Sequence, residues 1–235
     1  MFRQHELIQL SDLLSITAKE DFEIIKAEEL LEACTKDDEL KFTLLHYSES
    51  LNAEVRHFIF ENLWHFSGKD VRTAALKHLQ DSDTIVQIDC IEILNNYDDI
   101  EVIEALKCKL ADRDELIRCF AAESLADKKS SKILAFLFEK VKTEKSELVL
   151  TGLYYAIYTQ GEMQFLEKLL HQLESYNHRV IIRALLMLEA ISDKKNYPII
   201  LEATQNLASK PGVPISVFEK ANSVIDNLNN TFNIK

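Results

Sequence analysis

The sequence predicts an all-α protein, a right-handed α-solenoid of about five to six stacked helix pairs with atypical terminal caps. Three observations predict it. Glycine occurs four times and proline three times in 235 residues, while Leu, Ile, Ala, Glu and Lys dominate, a composition suited to long helices joined by short connections. Five β-branched residues, Val55, Val86, Ile117, Val149 and Val180, recur at steps of 31, 31, 32 and 31. Three positions before each of them stands Asn52, Asp83, Asp114, Ser146 or Asn177, residue types whose side-chain oxygen can accept the unpaired amides of a helix's first turn.

The elements follow in chain order. Segments 2–15, 21–34 and 38–48 carry helical periodicity, and Asp21 with Ile24 lies one 31-residue step ahead of Val55. Glu28 and Glu32 stand there at positions that are apolar in later units, so residues 1–48 are expected to form a degenerate amino-terminal cap. From 49 to 208 come the regular repeats. Four and eight residues after the anchors stand Ile59 and Leu63, Cys90 and Leu94, Ala121 and Leu125, Leu153 and Ile157, and Ala184 and Leu188, an apolar stripe along one helix face each time.

A second helix follows in each unit, roughly 70–80, 99–111, 130–142, 162–174 and 196–208, with Leu76, Leu106, Leu137, Leu169 and Ile200 expected to point inward. Polar breaks such as Ser67-Gly-Lys-Asp70 and Asp127-Lys-Lys-Ser-Ser131 separate the two helices of a pair. Each pair can bury its apolar faces only against neighbouring pairs, so the units must stack. Pro211-Gly-Val-Pro214 interrupts the rhythm, and a last helix, 215–229, carrying Phe218, Ala221, Val224, Ile225 and Leu228, is expected to cover the open end. The whole chain, 1–235, is expected to be one solenoid domain, with 209–235 as its carboxy-terminal cap.

Around Asp81-Ser-Asp-Thr-Ile-Val86 and Asp112-Arg-Asp-Glu-Leu-Ile117-Arg118 the chain resembles the HEAT and bilin-lyase HEAT-like repeats, whose units contain D-x-D-x-x-V-R before small and leucine positions. The likeness covers about residues 20 to 210. It implies that the anchored helices line a concave face and that Asp112 and Arg118 belong to a ladder of loop contacts, with Asp81 facing Gln87. The last two units lack the arginine, which leaves the ladder partial. The architecture hosts adaptors, inhibitors, carriers and a few enzymes, so it specifies fold more sharply than function.

At 100° per residue the core positions 0, +4 and +8 average about 40°, which puts the outward face at +2 and +6 from each anchor. The +6 series is Glu61, Glu92, Glu123, Tyr155 and Leu186, and the +2 series is His57, Ile88, Cys119, Thr151 and Ile182. Tyr155 and Tyr158 are expected to point outward with Tyr154 towards one flank, forming a tyrosine-rich floor beyond the acidic half of a concave groove, and Trp64, the single tryptophan, stands at +9 of the first unit. Tyrosine combines apolar area with a hydroxyl at modest entropic cost, which suits the energetic centre of an interface. The expected partner-binding set is therefore Glu61, Glu92, Glu123, Tyr154, Tyr155, Tyr158, Trp64 and His57. The competing expectation is that the glutamates are merely solvated and that the aromatics, Trp64 above all, pack between units.

Charge supports a protein partner with a basic surface. Residues 1–119 hold 26 acids and 13 bases, whereas 120–235 hold 13 acids and 14 bases, within a net charge of −12. Nucleic-acid affinity rests on phosphate neutralisation, so an acidic first half argues against it, although acidity also serves solubility. The run from Glu20 to Glu39, with nine acids against two lysines, is expected to be a solvated face of the cap.

No cofactor, metal or catalytic set is expected. The seven histidines form no H-E-x-x-H pattern, His57 and His65 are more than two turns apart, and the sequence has no Gly-rich phosphate loop, nucleophile elbow or paired-cysteine motif. Iron-dependent deoxyhypusine hydroxylases, which resemble HEAT proteins, bring His-Glu pairs from several repeats, and here the one pair, His5-Glu6, precedes them. HEAT-like DNA glycosylases present a basic concave surface where this chain has glutamates. A bilin-lyase-like subunit or a nucleic-acid-modifying relative is the enzymatic alternative. Cys34, Cys90, Cys108 and Cys119 are expected to be buried thiols in a reducing compartment, and no uninterrupted apolar run of 18 residues or secretory leader is read, so the expected location is cytoplasmic. The functional expectation is a protein-binding adaptor or inhibitor, in its sharpest form an immunity-type protein that blocks a basic toxin domain, acting as a monomer or in a partner-dependent complex.

Overall fold

The computed structural model describes residues 3–16, 21–128 and 131–232. Phe2 and the Lys129-Ser130 part of the expected break lie outside them. Fourteen α-helices and no strand are present among the described residues, and no helix there is long and apolar enough to cross a membrane. The chain is an all-α protein in which helix pairs recur along the sequence. It divides into two compact units, Met1–Ala105 and Leu106–Lys235.

The first unit contains α1 (Arg3–Leu14), α2 (Ile24–Ala33), α3 (Asp38–Tyr47), α4 (Ala53–Leu63), α5 (Lys69–His78), α6 (Thr84–Leu94) and the start of α7 (Ile100–Lys109). Within it α4 packs against α3 and α6, α5 against α3 and α6, and α1 against α2 and α3. The second unit contains α8 (Glu115–Ser124), α9 (Ser131–Thr143), α10 (Glu147–Thr159), α11 (Phe165–His171), which tightens into a 3₁₀ turn at Gln172–Glu174, then α12 (His178–Ala190), α13 (Tyr197–Ser209) and α14 (Ile215–Phe232). There α8, α10 and α12 lie side by side, α9 and α11 pack on α10, and α14 packs on both α12 and α13. The last helix thus occupies the place that a further anchored helix would take.

All five expected caps form. The Asn52 carboxamide oxygen accepts the Glu54 amide at 2.9 Å, Asp83 the Ile85 amide at 2.8 Å, Asp114 the Leu116 amide at 2.8 Å, Ser146 the Val149 amide at 3.4 Å and Asn177 the Arg179 amide at 3.0 Å. Each capping residue is extended, with ψ between 112° and 127°, so the chain turns into the helix at that residue. The paired helix α5 begins differently, at Gly68, whose φ of 130° suits glycine alone and whose carbonyl accepts the Tyr97 hydroxyl at 3.0 Å. All five anchors and the residues four and eight beyond them are buried.

Three expectations are corrected. The register of α2 is shifted by one residue: Ala27 and Leu31 are buried, whereas Ile24, Glu28 and Glu32 are exposed. Leu76 is half-buried, because the inward face of α5 runs through Val71, Ala75 and His78 at spacings of four and three. Cys108 is exposed and Cys34 half-buried, so only Cys90 and Cys119 are buried thiols. The expected loop ladder forms, with Gln87 facing Asp81 and Arg118 facing Asp112, and it has further side-chain rungs. Arg56 donates to both Asp81 oxygens at 2.7 and 2.8 Å, and Arg118 to both Glu144 oxygens at 3.0 and 3.2 Å. The residue after each of the first three anchors turns back to the loop carbonyl six positions earlier: Arg56 to Ser50 at 2.8 Å, Gln87 to Asp81 at 2.6 Å and Arg118 to Asp112 at 2.9 Å. A guanidinium can do both at once, a carboxamide only part of this, which explains why the arginines anchor two loops each.

Candidate protein-binding face

In the first unit α4 packs beside α6, and each presents a glutamate to solvent at the same repeat position. Glu61 on α4 has a side chain 56% exposed, and Glu92, one repeat later on α6, is also exposed. Beside them His57 Nδ1 lies 2.7 Å from Asp89 Oδ2, a bond between the two helices, and His57 Nε2 lies 3.9 Å from Glu61. Trp64 caps the carboxy-terminal end of α4, with half its surface in solvent and its ring edge-on to His65 at 5.4 Å. Trp64 is therefore not packed away between units.

Burial and hydrogen bonding act in opposite directions on the His57–Asp89 pair. Burial pushes the Asp89 carboxyl up to about 6 despite the neighbouring imidazole, and Glu61 and Glu92 push it the same way. Burial lowers the affinity of His57 for a proton, but its bond to Asp89 and the charges of Asp89, Glu61 and Asp83 outweigh this and raise it. Both members hold protons more firmly than free side chains do, so the pair titrates as one coupled unit.

The second unit arranges its equivalent residues differently. Glu123 is not a solvated member of a glutamate stripe. Its carboxylate is ion-paired with Arg183 of α12, whose Nε donates to Oε1 at 2.6 Å and whose guanidinium lies 4.1 Å from the centre of the Phe120 ring. The Cys119 thiol donates to the same Glu123 oxygen at 3.0 Å, and burial raises the Cys119 thiol well above its usual range. One helical turn back, Arg179 reaches Glu115 at 3.4 Å. Both arginines of α12 therefore cross α10 to reach α8. The crossing is short because Gly152 of α10 lets α8 come close: a Cβ at that position would stand 2.9 Å from the Cys119 carbonyl oxygen.

The three tyrosines do not form one outward patch. Tyr158 is buried, 9% exposed, with its hydroxyl accepting the Asn196 side-chain amide at 2.9 Å. Tyr154 is half-buried against Phe165 at 5.7 Å, with the Lys168 ammonium over its ring. Tyr155 is also half-buried, beside Glu123, Asp127 and Arg183, whose charges it senses. Nor does +2 face outward, since Ile88, Cys119 and Thr151 are all buried. The reason is common to both corrections: α10 has neighbours on two sides as well as beneath, which narrows its solvent stripe to positions near +6. Sequence reasoning missed Arg179, Arg183 and Asp89. The arginines at 179 and 183 share one helix face, a spacing that could have signalled a paired contact.

Among the described residues no group of three or more His, Cys, Asp or Glu side chains is placed to hold a metal ion. No protein-family model matches the chain, and no curated protein matches it. Solved structures are similar to it. One is the crystal structure of an archaeal HEAT-like repeats protein from Thermococcus onnurineus NA1, with TM-score 0.44 and 17% identity over 95% of this chain and 97% of that one. An engineered protein gives TM-score 0.38 and 19% identity over 97% of this chain and 92% of its own. A designed armadillo repeat protein gives 0.34 and 16% over 95% and 100%. With these scores below 0.5, the fold rests on the caps, registers and helix contacts described above.

Proposed function

We propose that this protein is a non-catalytic, protein-binding repeat protein, an adaptor or inhibitor whose first unit receives a basic surface of its partner. The observation that carries this reading is the pair Glu61 and Glu92, exposed at equivalent positions of successive repeats with Trp64 at the edge. They lie in a unit with 23 acids and 9 bases, whereas the second unit has 16 acids and 18 bases. A net −14 concentrates attraction for cations on the first unit, accelerates encounter with a basic partner and makes that encounter salt-dependent. An exposed tryptophan beside the charged positions supplies apolar area of the kind that dominates interface energetics. The most specific form of this reading is an immunity-type protein that occludes a basic toxin domain.

The test is capture of partners by the full chain at low salt, with a Glu61→Lys/Glu92→Lys variant as the comparison. One stoichiometric basic protein, retained by the native chain and lost by the variant, supports inhibition. Capture of the same partner by both proteins at equal affinity removes the glutamates from the account. Glu123 is excluded from the substitution because reversing its charge breaks the Arg183 pair and confounds binding with folding.

A further inference from the structure

The face that carries Glu61 and Glu92 has a built-in charge control that neither glutamate supplies. Asp89 is 8% exposed, and its carboxylate is hydrogen-bonded at 2.7 Å to the His57 imidazole on the adjacent helix. The His57 side chain is one-third exposed, with its second nitrogen turned towards Glu61. A proton entering this pair therefore places positive charge between α4 and α6, next to the carboxylates that would receive a cationic side chain. The charged groups that act most strongly on the pair are Glu61 on α4, Asp83 at the start of α6 and Glu92 within α6.

We infer that the His57–Asp89 pair makes binding of a basic segment to the α4–α6 face proton-linked, so that the segment is held at neutral or alkaline pH and released on acidification. This rests on the reading that this face receives a basic partner. The sign follows from charge alone. Bringing an arginine-rich segment to the face disfavours protons on His57 and Asp89, so binding expels protons, and by linkage a fall in pH weakens binding. The window is set by Asp89 near 6, together with the raised His57. Loss of the acid step on substituting His57 or Asp89 is what separates the pair from the glutamates.

The experiment uses the full chain and an octa-arginine peptide at low salt, with calorimetric titrations at pH 8, 6.5 and 5.5 in two buffers of different ionisation enthalpy. The expected result is binding at pH 8 that weakens roughly tenfold by pH 5.5, the factor for one unit of proton linkage, with protons released on binding near pH 6 and none at pH 8. His57→Gln keeps an amide donor for Asp89 but removes the titrating imidazole, and it is expected to shrink the step to the part that Asp89 contributes. Asp89→Asn, which removes the other titrating member, is expected to shrink the step as well, and circular dichroism confirms that both variants are folded. If the peptide binds the native chain with no pH step, or with the same step in both variants, the proton linkage is overturned while the acidic-face reading stands. If the peptide fails to bind at pH 8, or binds Glu61→Lys/Glu92→Lys equally well, the acidic-face reading falls and the linkage with it.

Discussion

The two units place a glutamate at the same repeat position and use it in opposite ways. In the first, Glu61 and Glu92 stand in solvent on a unit of net −14. In the second, of net +2, Glu123 is drawn into an ion pair with Arg183, and its side chain keeps only 17% exposure. The same residue type at the same register is a potential binding group in one place and part of the internal structure in the other. What decides is the arginine 60 residues later, not the repeat itself. Repeat position gives a side chain its direction, while its solvent exposure depends on what the neighbouring helices send across.

The largest expected effect breaks the second unit's arrangement. Arg183→Leu leaves the Glu123 carboxylate uncompensated beside Phe120 and is expected to cost about 3 kcal/mol, the low end for a buried pair because both groups keep some solvent contact. Urea denaturation measures it, and Arg183→Glu combined with Glu123→Arg should recover part of the loss. Gly152→Ala comes next. The new methyl gains up to about 1 kcal/mol in helix propensity, but its contact with the Cys119 carbonyl forces α8 and α10 apart at about 1–3 kcal/mol, so the net effect is destabilising by about 1 kcal/mol in the same assay.

Asp83→Ala removes a cap in the first unit and should cost about 1 kcal/mol, as should Ser146→Ala in the second, which would show that the caps are equivalent even though the faces are not. The smallest stability effect belongs to Glu61→Lys/Glu92→Lys, expected within about 0.5 kcal/mol of the native chain by thermal melting. A much larger loss would mean that the first unit also uses its glutamates internally, and the contrast between the units would disappear.

Much of the fold was legible in the sequence because the residues that define it act locally. An Asn, Asp or Ser three positions before a β-branched residue caps a helix whatever lies elsewhere, and all five did so. The shifted register of α2 was less legible, because a helix with fewer neighbours needs fewer apolar positions, and Ala27 is small enough to be overlooked as core. The candidate face was legible only in part. Position +6 marked Glu61 and Glu92, but Asp89, a buried acid bonded across helices, looks in the sequence like any polar residue of α6. Tyr158 and Glu123 were misplaced because their partners, Asn196 and Arg183, lie 38 and 60 residues away, beyond what a 31-residue period reveals.

Ideal repeat proteins behave as one-dimensional chains in which each module couples only to the next, so their ends fray and modules can be deleted or duplicated at a roughly constant energetic increment. The Arg179–Glu115 and Arg183–Glu123 pairs are next-nearest-neighbour couplings, joining α12 to α8 across the module between them. Additive accounting fails there: excising the α10 module would break both pairs, and opening α12 would leave the largely buried Glu123 on α8 without its arginine. The segment from α8 to α12 should exchange its amide hydrogens as one cooperative block, and engineering by module exchange should succeed outside it and fail within it.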